Sequence, residues 1–480
     1  MYKRLFFFLL IPFIIVIGYF TLASGTLDRG SFEGLIIFTR VPVEEDSVLQ
    51  NKNVKPDYKN ARIVSISRGD PESTLKVLTE GFYSACSPVL SFDNKKLLFT
   101  AKLTRDDPWQ IWSMASDLKA LPVTHTDNDC FNPALLPNGK ILFSSSWKSD
   151  RLGEGSTLFT CNSDGSENMP ITFHPHADYS SSILHDGRIL TLSNQIFPES
   201  KNPEMLVLRP DGTKCELFYN GTVRSYPKSK AWEDSKRNIF FIESNTGSQS
   251  DELVVIRYAN PWASKEVLIS DDLNNLHSVY PDNSGKLIIS ARLQKAKNFS
   301  LLEWESKIRN VIYKDQRYHA IEPIFAGQRD MPKNLPSIVN EEAETGLLIC
   351  MNANQFRPEN NRANQQSKTL RIRVSGINSM LGEVPLEEDG SFYLEVKADM
   401  PIRFESLNDK RELISKPSSW IWLRPNERRG CIGCHQRNEI TPENTVPKAI
   451  NNPPLLITDS VSTDVIAHFL RKKKGGTNEK

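Results

Sequence analysis

The chain has 480 residues, of which 39% are hydrophobic and 24% charged, and its formal net charge is +1. That balance describes a folded protein with length for a large core and excludes a chain held open by low hydrophobicity and high charge. Near-neutral charge also lacks the clustered basic surface of a nucleic-acid-binding domain, so nucleic acid is set aside as a partner.

Lys3 and Arg4 precede an apolar run from Leu5 to Phe20, and the small residues Ala23, Ser24 and Gly25 follow. A basic start, an apolar stretch and small residues form an export signal. The run is a little short for a membrane span and a little long for a signal-peptide core. Residues 1–25 therefore read as either a cleaved signal peptide or a retained anchor. No cysteine stands just after the run, which argues against a lipid anchor. Either reading predicts a periplasmic or otherwise extracytoplasmic protein, with an inner-membrane attachment only through this segment if it stays uncleaved.

From residue 30 the sequence becomes a series of short Ile, Leu, Phe and Val runs separated by Gly, Asn, Asp, Ser and Pro, which is strand and turn patterning. Helical periodicity is absent over long windows before residue 400, so an all-β chain is expected. One unit recurs: SPVLSFDNKKLLFTAKL from Ser87, NPALLPNGKILFSSSW from Asn132 and YSSSILHDGRILTLSN from Tyr179. Asn138-Gly139 and Asp186-Gly187 supply tight hairpin turns. Weaker copies begin at Tyr226 and Val279, and Glu322-Pro323 followed by Gly346–Met351 reads as a degenerate sixth. The period of roughly 45 to 50 residues is that of one propeller blade. A five- or six-bladed β-propeller over residues 30–351 is predicted, with a β-sandwich of accidental spacing as the competing reading. Gly34–Arg40 ends like the second strand of each repeat but lacks its first half. Its expected use is to complete the last blade and leave no open edge. The wording of the repeats resembles TolB-like propellers, a likeness that informs fold and not chemistry.

Residues 352–368, rich in Asn and Gln, read as a polar linker. A small β-sandwich-like domain is expected over 369–425, from alternation at Leu370, Ile372 and Val374, at Phe392, Leu394 and Val396, and at Ile402 and Phe404, with a hairpin turn at Asp389-Gly390. Trp420 and Trp422 could cover an apolar prosthetic group or pack toward the propeller.

The segment 426–480 contains Cys431-Ile432-Gly433-Cys434-His435, the C-x-x-C-H signal of c-type haem attachment. Two thiols three positions apart add across the two vinyl groups of one porphyrin edge, and the adjoining histidine then lies beneath the iron. One covalent haem c is expected, with Cys431 and Cys434 as attachment sites and His435 as proximal iron ligand. A thioredoxin-like pair would require a βαβ context, and a zinc site a second pair of ligands; neither is present. Cys86, Cys130, Cys161, Cys215 and Cys350 are an odd set, with Cys86 and Cys130 at equivalent places in adjacent repeats. A bridge between blades or solitary buried thiols both suit them. His174, His176 and His185 cluster without metal-ligand spacing, so loop and surface roles are expected.

The landmarks Val384 to Phe392 (VPLEEDGSF), Ala398-Asp399-Met400-Pro401, Ser418-Ser419-Trp420, Asn426-Glu427 and the haem motif resemble, in this order, the middle region of hydrazine synthase alpha subunits and their relatives. The resemblance implies an exported propeller whose small β domain presents a haem against it. It also implies an iron-ligating tyrosine four residues past the motif histidine, where this chain has Glu439. Ligation by His435, and not hydrazine formation, is therefore the expectation. With one C-x-x-C-H and about forty-five residues after it, a single haem is expected. The function read from the sequence is that of an exported mono-haem cytochrome passing electrons to a periplasmic redox partner. The alternatives are a haem enzyme or sensor acting on nitric oxide or peroxide at an open iron, and a propeller binding module with a structural haem. Met400, His319 and His468 are the candidate sixth ligands.

Overall fold

The computed structural model describes residues 31–457 except 47–48, 50–53, 150–152, 196–201, 223, 249, 271–272, 294–295, 306–307, 355–367, 378, 416–418 and 434–443. The export run at residues 1–25 lies outside the described residues. Among those described, no helix is long and apolar enough to cross a membrane.

Six antiparallel sheets follow one another in chain order from Leu35 to Phe325, five of four strands and one of five. The second to sixth sheets span 84–122, 130–170, 178–219, 225–269 and 274–313. The innermost strands are Ser84–Leu90, Cys130–Leu135, Asp178–Ile183, Ser225–Pro227, Asn274–Pro281 and Tyr318–Phe325, and neighbouring sheets touch around a closed circuit. The chain is thus nearly all β and propeller-like. Leu35–Pro42 lies between Arg62–Ser67 and Tyr318–Phe325 in the first sheet, so the two ends of the ring are joined by ladder hydrogen bonds. This is the closure expected of a strand lacking its first half, and it removes the exposed edge that would otherwise template pairing with another chain.

The alternation in each repeat places apolar side chains between sheets. Ile37, Ile63, Leu97, Phe99 and Ala101 form one such layer, and Leu190, Leu192, Ile239 and Phe241 another. Each buried side chain of this size contributes about 1.5–3 kcal/mol. The thiols Cys86, Cys130 and Cys161 are buried and unbridged, Cys130 and Cys161 within a further apolar layer.

The innermost strands share a second feature. Ser87, Asn132, Ser180 and Glu322 have φ of 54°, 52°, 54° and 53°, each where the ladder shifts register. These are bulges, in which an extra residue bends the strand and re-aims a side chain. Three of the four precede proline, at Pro88, Pro133 and Pro323; proline has no N–H to give, so a bulge is where a ladder tolerates it. The bulge residues bond to one another around the axis. The Glu322 N–H donates to Ser278 Oγ at 2.9 Å. Its carboxylate accepts from the Ser87 N–H at 2.8 Å, the Ser87 hydroxyl at 3.1 Å and the Thr39 hydroxyl at 2.8 Å. Asn132 Nδ2 donates to Ser87 Oγ at 3.3 Å, and Asn132 Oδ1 accepts from the Ser180 N–H at 3.3 Å. Five of the six innermost strands are linked this way.

Gly346–Met351 is not a sixth repeat. Thr345–Cys350 pairs with Phe392–Lys397 and, in parallel, with Arg428–Cys431, while Leu455–Ile457 completes that sheet. A second sheet is formed by Arg371–Ser375, Met380–Pro385, Arg403–Leu407 and Leu413–Ser415. The two enclose one core, with Leu348, Leu394 and Val396 facing Ile372, Val374 and Val384. The second unit is therefore a sandwich from Thr345 to Ile457, wider than 369–425, and the propeller ends near Phe325 and not at 351. Sequence alternation finds strands but not partners, and these partners are non-local. The connection between the units is 326–344, which has no ladder. Residues 355–367 of the expected linker 352–368 lie outside the described residues, whereas Ala353 is buried in the sandwich core.

The connection runs along the turns of the fourth sheet. The Lys333 N–H donates to the His185 carbonyl at 3.0 Å, Arg209 to the Pro336 carbonyl at 2.6 Å, and the Ile338 N–H to Asp211 at 2.8 Å. Gly187 has φ +90°, and a Cβ there would meet the Lys333 carbonyl oxygen at 2.0 Å. Gly139, with φ +82°, occupies the equivalent hairpin turn in open space. Gly139→Ala is expected to cost about 1–2 kcal/mol through backbone strain alone. Gly187→Ala adds the displacement of the connection, so thermal melts of the two variants should place it clearly below Gly139→Ala.

His277, near the axis, is pushed down to about 3, first by burial and then by the charges of Lys228, His319 and Arg292. A histidine kept neutral by the fold contributes stability that is fully present above its unfolded value near 6.5 and is lost as pH falls toward 3. Unfolding free energy should therefore drop between these limits by at most about 1.4 kcal/mol per pH unit from this group. His277→Gln should flatten that slope, which urea titrations at pH 7, 6, 5 and 4 would measure.

Candidate functional site

The strand Arg428–Cys431 carries the first residue of the C-x-x-C-H motif. It lies parallel to Thr345–Cys350, with Cys350 opposite Cys431. The Met351 N–H donates to the Cys431 carbonyl at 2.8 Å and the Asn352 N–H to the Ile432 carbonyl at 3.2 Å, so the ladder holds the motif's first two residues. Cys431 is half-buried and packs against the sandwich core. Cys434, His435 and Glu439 lie outside the described residues.

The start of this strand is anchored to the propeller by Glu427, which is fully buried. Its carboxylate accepts from the Lys214 N–H at 2.8 Å, from Arg429 Nε at 3.0 Å and Nη2 at 2.8 Å, and from the Arg424 N–H at 2.9 Å. Four donors fill the acceptor capacity of a carboxylate. Lys214 belongs to the turn closing the fourth sheet, and its ammonium also donates to the Arg428 carbonyl. Arg424 bonds to Asp399 at 3.0 Å and to Glu341 at 3.3 Å, and lies over the Phe173 ring at 5.0 Å.

Trp422 reaches the same sheet. It is fully buried and stacks on His174 with ring centroids 5.5 Å apart, which realises the propeller-facing alternative. Trp420 gives its carbonyl to the amide of Gln195 and its ring to Arg403, 5.0 Å from the centroid. His174 lies in a loop, as its spacing suggested, but not at the surface: it is fully buried, where Asp178 takes its Nε2–H at 2.7 Å and the His176 N–H satisfies Nδ1 at 3.2 Å. His176 is pushed down to about 4, chiefly by burial and by the neighbouring His174. Two polar atoms here, Trp422 Nε1 and Asp178 Oδ1, are buried without a hydrogen-bond partner.

Burial raises the Cys431 thiol above its ordinary value, opposed by Arg429 and reinforced by Glu216 and Glu427. Cys215, on the fourth sheet, is raised by burial and feels Arg429, Asp178 and Glu427 as well. Cys431 thus sits where the sandwich meets the propeller, within the field of the Glu427–Arg429 pair. Of the candidate sixth ligands, Met400 is buried in the sandwich core against which Cys431 packs. His319 is in the closing strand of the first sheet, where Nδ1 accepts the Phe299 N–H at 3.2 Å. His468 lies outside the described residues. Among the described residues, no group of three or more His, Cys, Asp or Glu is arranged to hold a metal ion.

Residues 348–436 match the hydrazine synthase alpha subunit middle domain. The likeness to that middle domain is confined to this part of the chain. The matched stretch ends one residue past His435 and contains Glu427, Arg429 and Cys431. The whole chain is similar in fold to hydrazine synthase from Kuenenia stuttgartiensis, with 18% identity and a TM-score of 0.71 over 88% of this chain and 72% of that one. TolB from Acinetobacter baumannii is a more distant match, at 14% identity and a TM-score of 0.46 over 61% of this chain and 67% of that one. No curated protein matches the chain.

The sequence marked Asn426-Glu427 as a landmark of the middle domain but gave it no role; Cys215 it named only within the odd set of cysteines, and Lys214 and Arg429 it did not single out at all. Their only signal is charge in an otherwise apolar strand context, which is weak without the partner strands. Removing the Glu427 carboxylate leaves Arg429 buried without its counter-charge. Glu427→Ala is expected to destabilise the sandwich and its docking by about 3–5 kcal/mol, against a small loss for Glu341→Ala on the exposed rim. Urea denaturation and limited proteolysis between the two units would measure the difference.

Proposed function

We propose that this chain is an exported mono-haem c-type cytochrome related to hydrazine synthase alpha subunits, transferring electrons to a periplasmic redox partner. One covalent haem c is bonded through Cys431 and Cys434, with His435 as the proximal ligand. The observation that carries the reading is the position of Cys431. It ends a strand that the ladder and Glu427 fix against the propeller, inside a middle domain whose match runs through His435.

The residues present fit the group. A thiol held protonated and half-buried suits conversion to an uncharged thioether, which needs no counter-ion. The unpartnered Trp422 N–H offers a buried donor at the same junction. A haem bound there supplies a one-electron couple tuned by its axial ligands and by burial. The chain's own contribution is positional: Cys350 and Leu347 hold the strand in register, Glu427 ties it to Lys214, and Trp422 stacks on His174 in the loop before the fourth sheet. Arg429 and Lys214 set positive charge against Glu216 and Glu427 around Cys431, so no single sign dominates.

Small-molecule chemistry at an open iron is the second reading. It is favoured by the engagement of His319 in the first sheet, where its Nδ1 accepts the Phe299 N–H.

The test is a pyridine haemochrome assay on protein exported with the c-type maturation machinery. Covalent haem should survive denaturation and acid-acetone extraction and disappear in Cys431→Ala with Cys434→Ala. His435→Ala should keep attached haem with an altered spectrum. Absence of covalent haem in the intact chain overturns the proposal. A carbon monoxide shift of the reduced spectrum selects the open-iron reading, and its absence selects electron transfer.

A further inference from the structure

The axis of the propeller holds a cavity of about 290 Å³, away from the Cys431 junction, at the lower end of the size range of small-molecule sites. Its wall is built from the innermost strands, including the bulge residues Ser87, Asn132, Ser180 and Glu322, with Tyr58, Tyr179, Tyr226 and Trp232 as aromatic surface. The charges in that wall are unequally satisfied. Glu322 already accepts three hydrogen bonds. Lys228 is paired with Asp251 at 2.7 Å and Lys55 with Asp129 at 2.7 Å. Lys230 is different. Its Nζ has one protein acceptor, the Pro133 carbonyl at a long 3.5 Å, and lies 4.8 Å from the centroid of the Trp232 ring. It is in no ion pair among the described residues.

An ammonium has three N–H donors, and holding it inside a protein without an anionic partner is costly. Burial pushes the Lys230 amine down to about 8, and the Glu322 charge partly opposes the shift. A cavity with one incompletely satisfied cation beside an indole face, with the Glu322 carboxylate already occupied by donors and the other carboxylate of the wall, Asp57, exposed to solvent, is complementary to an anion carrying a flat or apolar body. We propose that the axial cavity is a binding site for a small organic carboxylate, its carboxylate group held by Lys230 and its body lying against Trp232 and the tyrosines. The bulges then have a second use besides linking the strands: they turn Ser180 and Asn132 toward the ligand space as neutral hydrogen-bonding groups. The site is independent of the haem reading.

The probes are sodium benzoate, neutral benzamide and cationic benzylamine, titrated calorimetrically into the purified full-length protein at pH 7. Benzoate should bind saturably with one site, and benzamide and benzylamine at least about tenfold more weakly, the worth of one charge-assisted contact. Lys230→Met should lose benzoate affinity by a similar factor with its melting curve preserved, and Lys230→Arg should recover most of it. A second measurement does not depend on any variant folding: acetylation of lysines by an activated ester, read by peptide mass spectrometry, should modify Lys230 and be blocked by benzoate but not by benzamide. No saturable benzoate binding, equal affinity for benzoate and benzamide, or unprotected Lys230 would overturn the site.

Discussion

Closure of the ring is the constraint on which the rest of this structure depends. Leu35–Pro42 pairs with Tyr318–Phe325 across almost the whole propeller sequence, and only that pairing sets Glu322 beside Ser87. The loop-closure entropy of so distant a contact is recovered collectively, through the ladder and through the carboxylate's bonds to Ser87 and Thr39. The left-handed conformations of Ser87, Asn132, Ser180 and Glu322, each costing of order 1 kcal/mol, persist because the axial hydrogen bonds over-determine them. The same bulges create the axial cavity, so its shape is a by-product of how the ring is held shut.

The second unit depends on the first through one buried carboxylate. Glu427 gathers donors from the propeller turn at Lys214, from Arg424 and from Arg429, and Trp422 adds an aromatic contact with His174. A buried ion pair is a poor source of net stability compared with apolar packing, but it fixes one arrangement because any other leaves a charge unpaired. Here that arrangement sets the strand leading to Cys431. The connection 326–344 follows the same turns, at His185, Arg209 and Asp211, so the fourth sheet serves both as blade and as docking platform.

Much of this was legible in the residues. The strand-turn-strand repeats, the prolines at their starts and the Asn-Gly and Asp-Gly turns announced an all-β ring, because hairpins are local and their chemistry repeats. Gly34–Arg40 announced its closing role by what it lacked. The reading went astray where pairing is non-local. Gly346–Met351 has the composition of a blade strand, yet its partners are Phe392–Lys397 and Arg428–Cys431. His174 looked like a surface histidine, because nothing in its spacing shows that Asp178 and Trp422 enclose it.

By itself the sequence determined the strand periodicity, the order of the two units, the middle-domain landmarks and the C-x-x-C-H spacing, all of which reside in residue types at short spacing. Only the tertiary structure decided that Glu427 is the joint between the units, that Cys431 emerges against the fourth sheet, and that Lys230, among the described residues, has no counter-charge while Lys228 and Lys55 have theirs. The physical reason is that pairing, burial and the satisfaction of a charge are properties of neighbours, and these neighbours are brought together only when the ring closes and the sandwich docks.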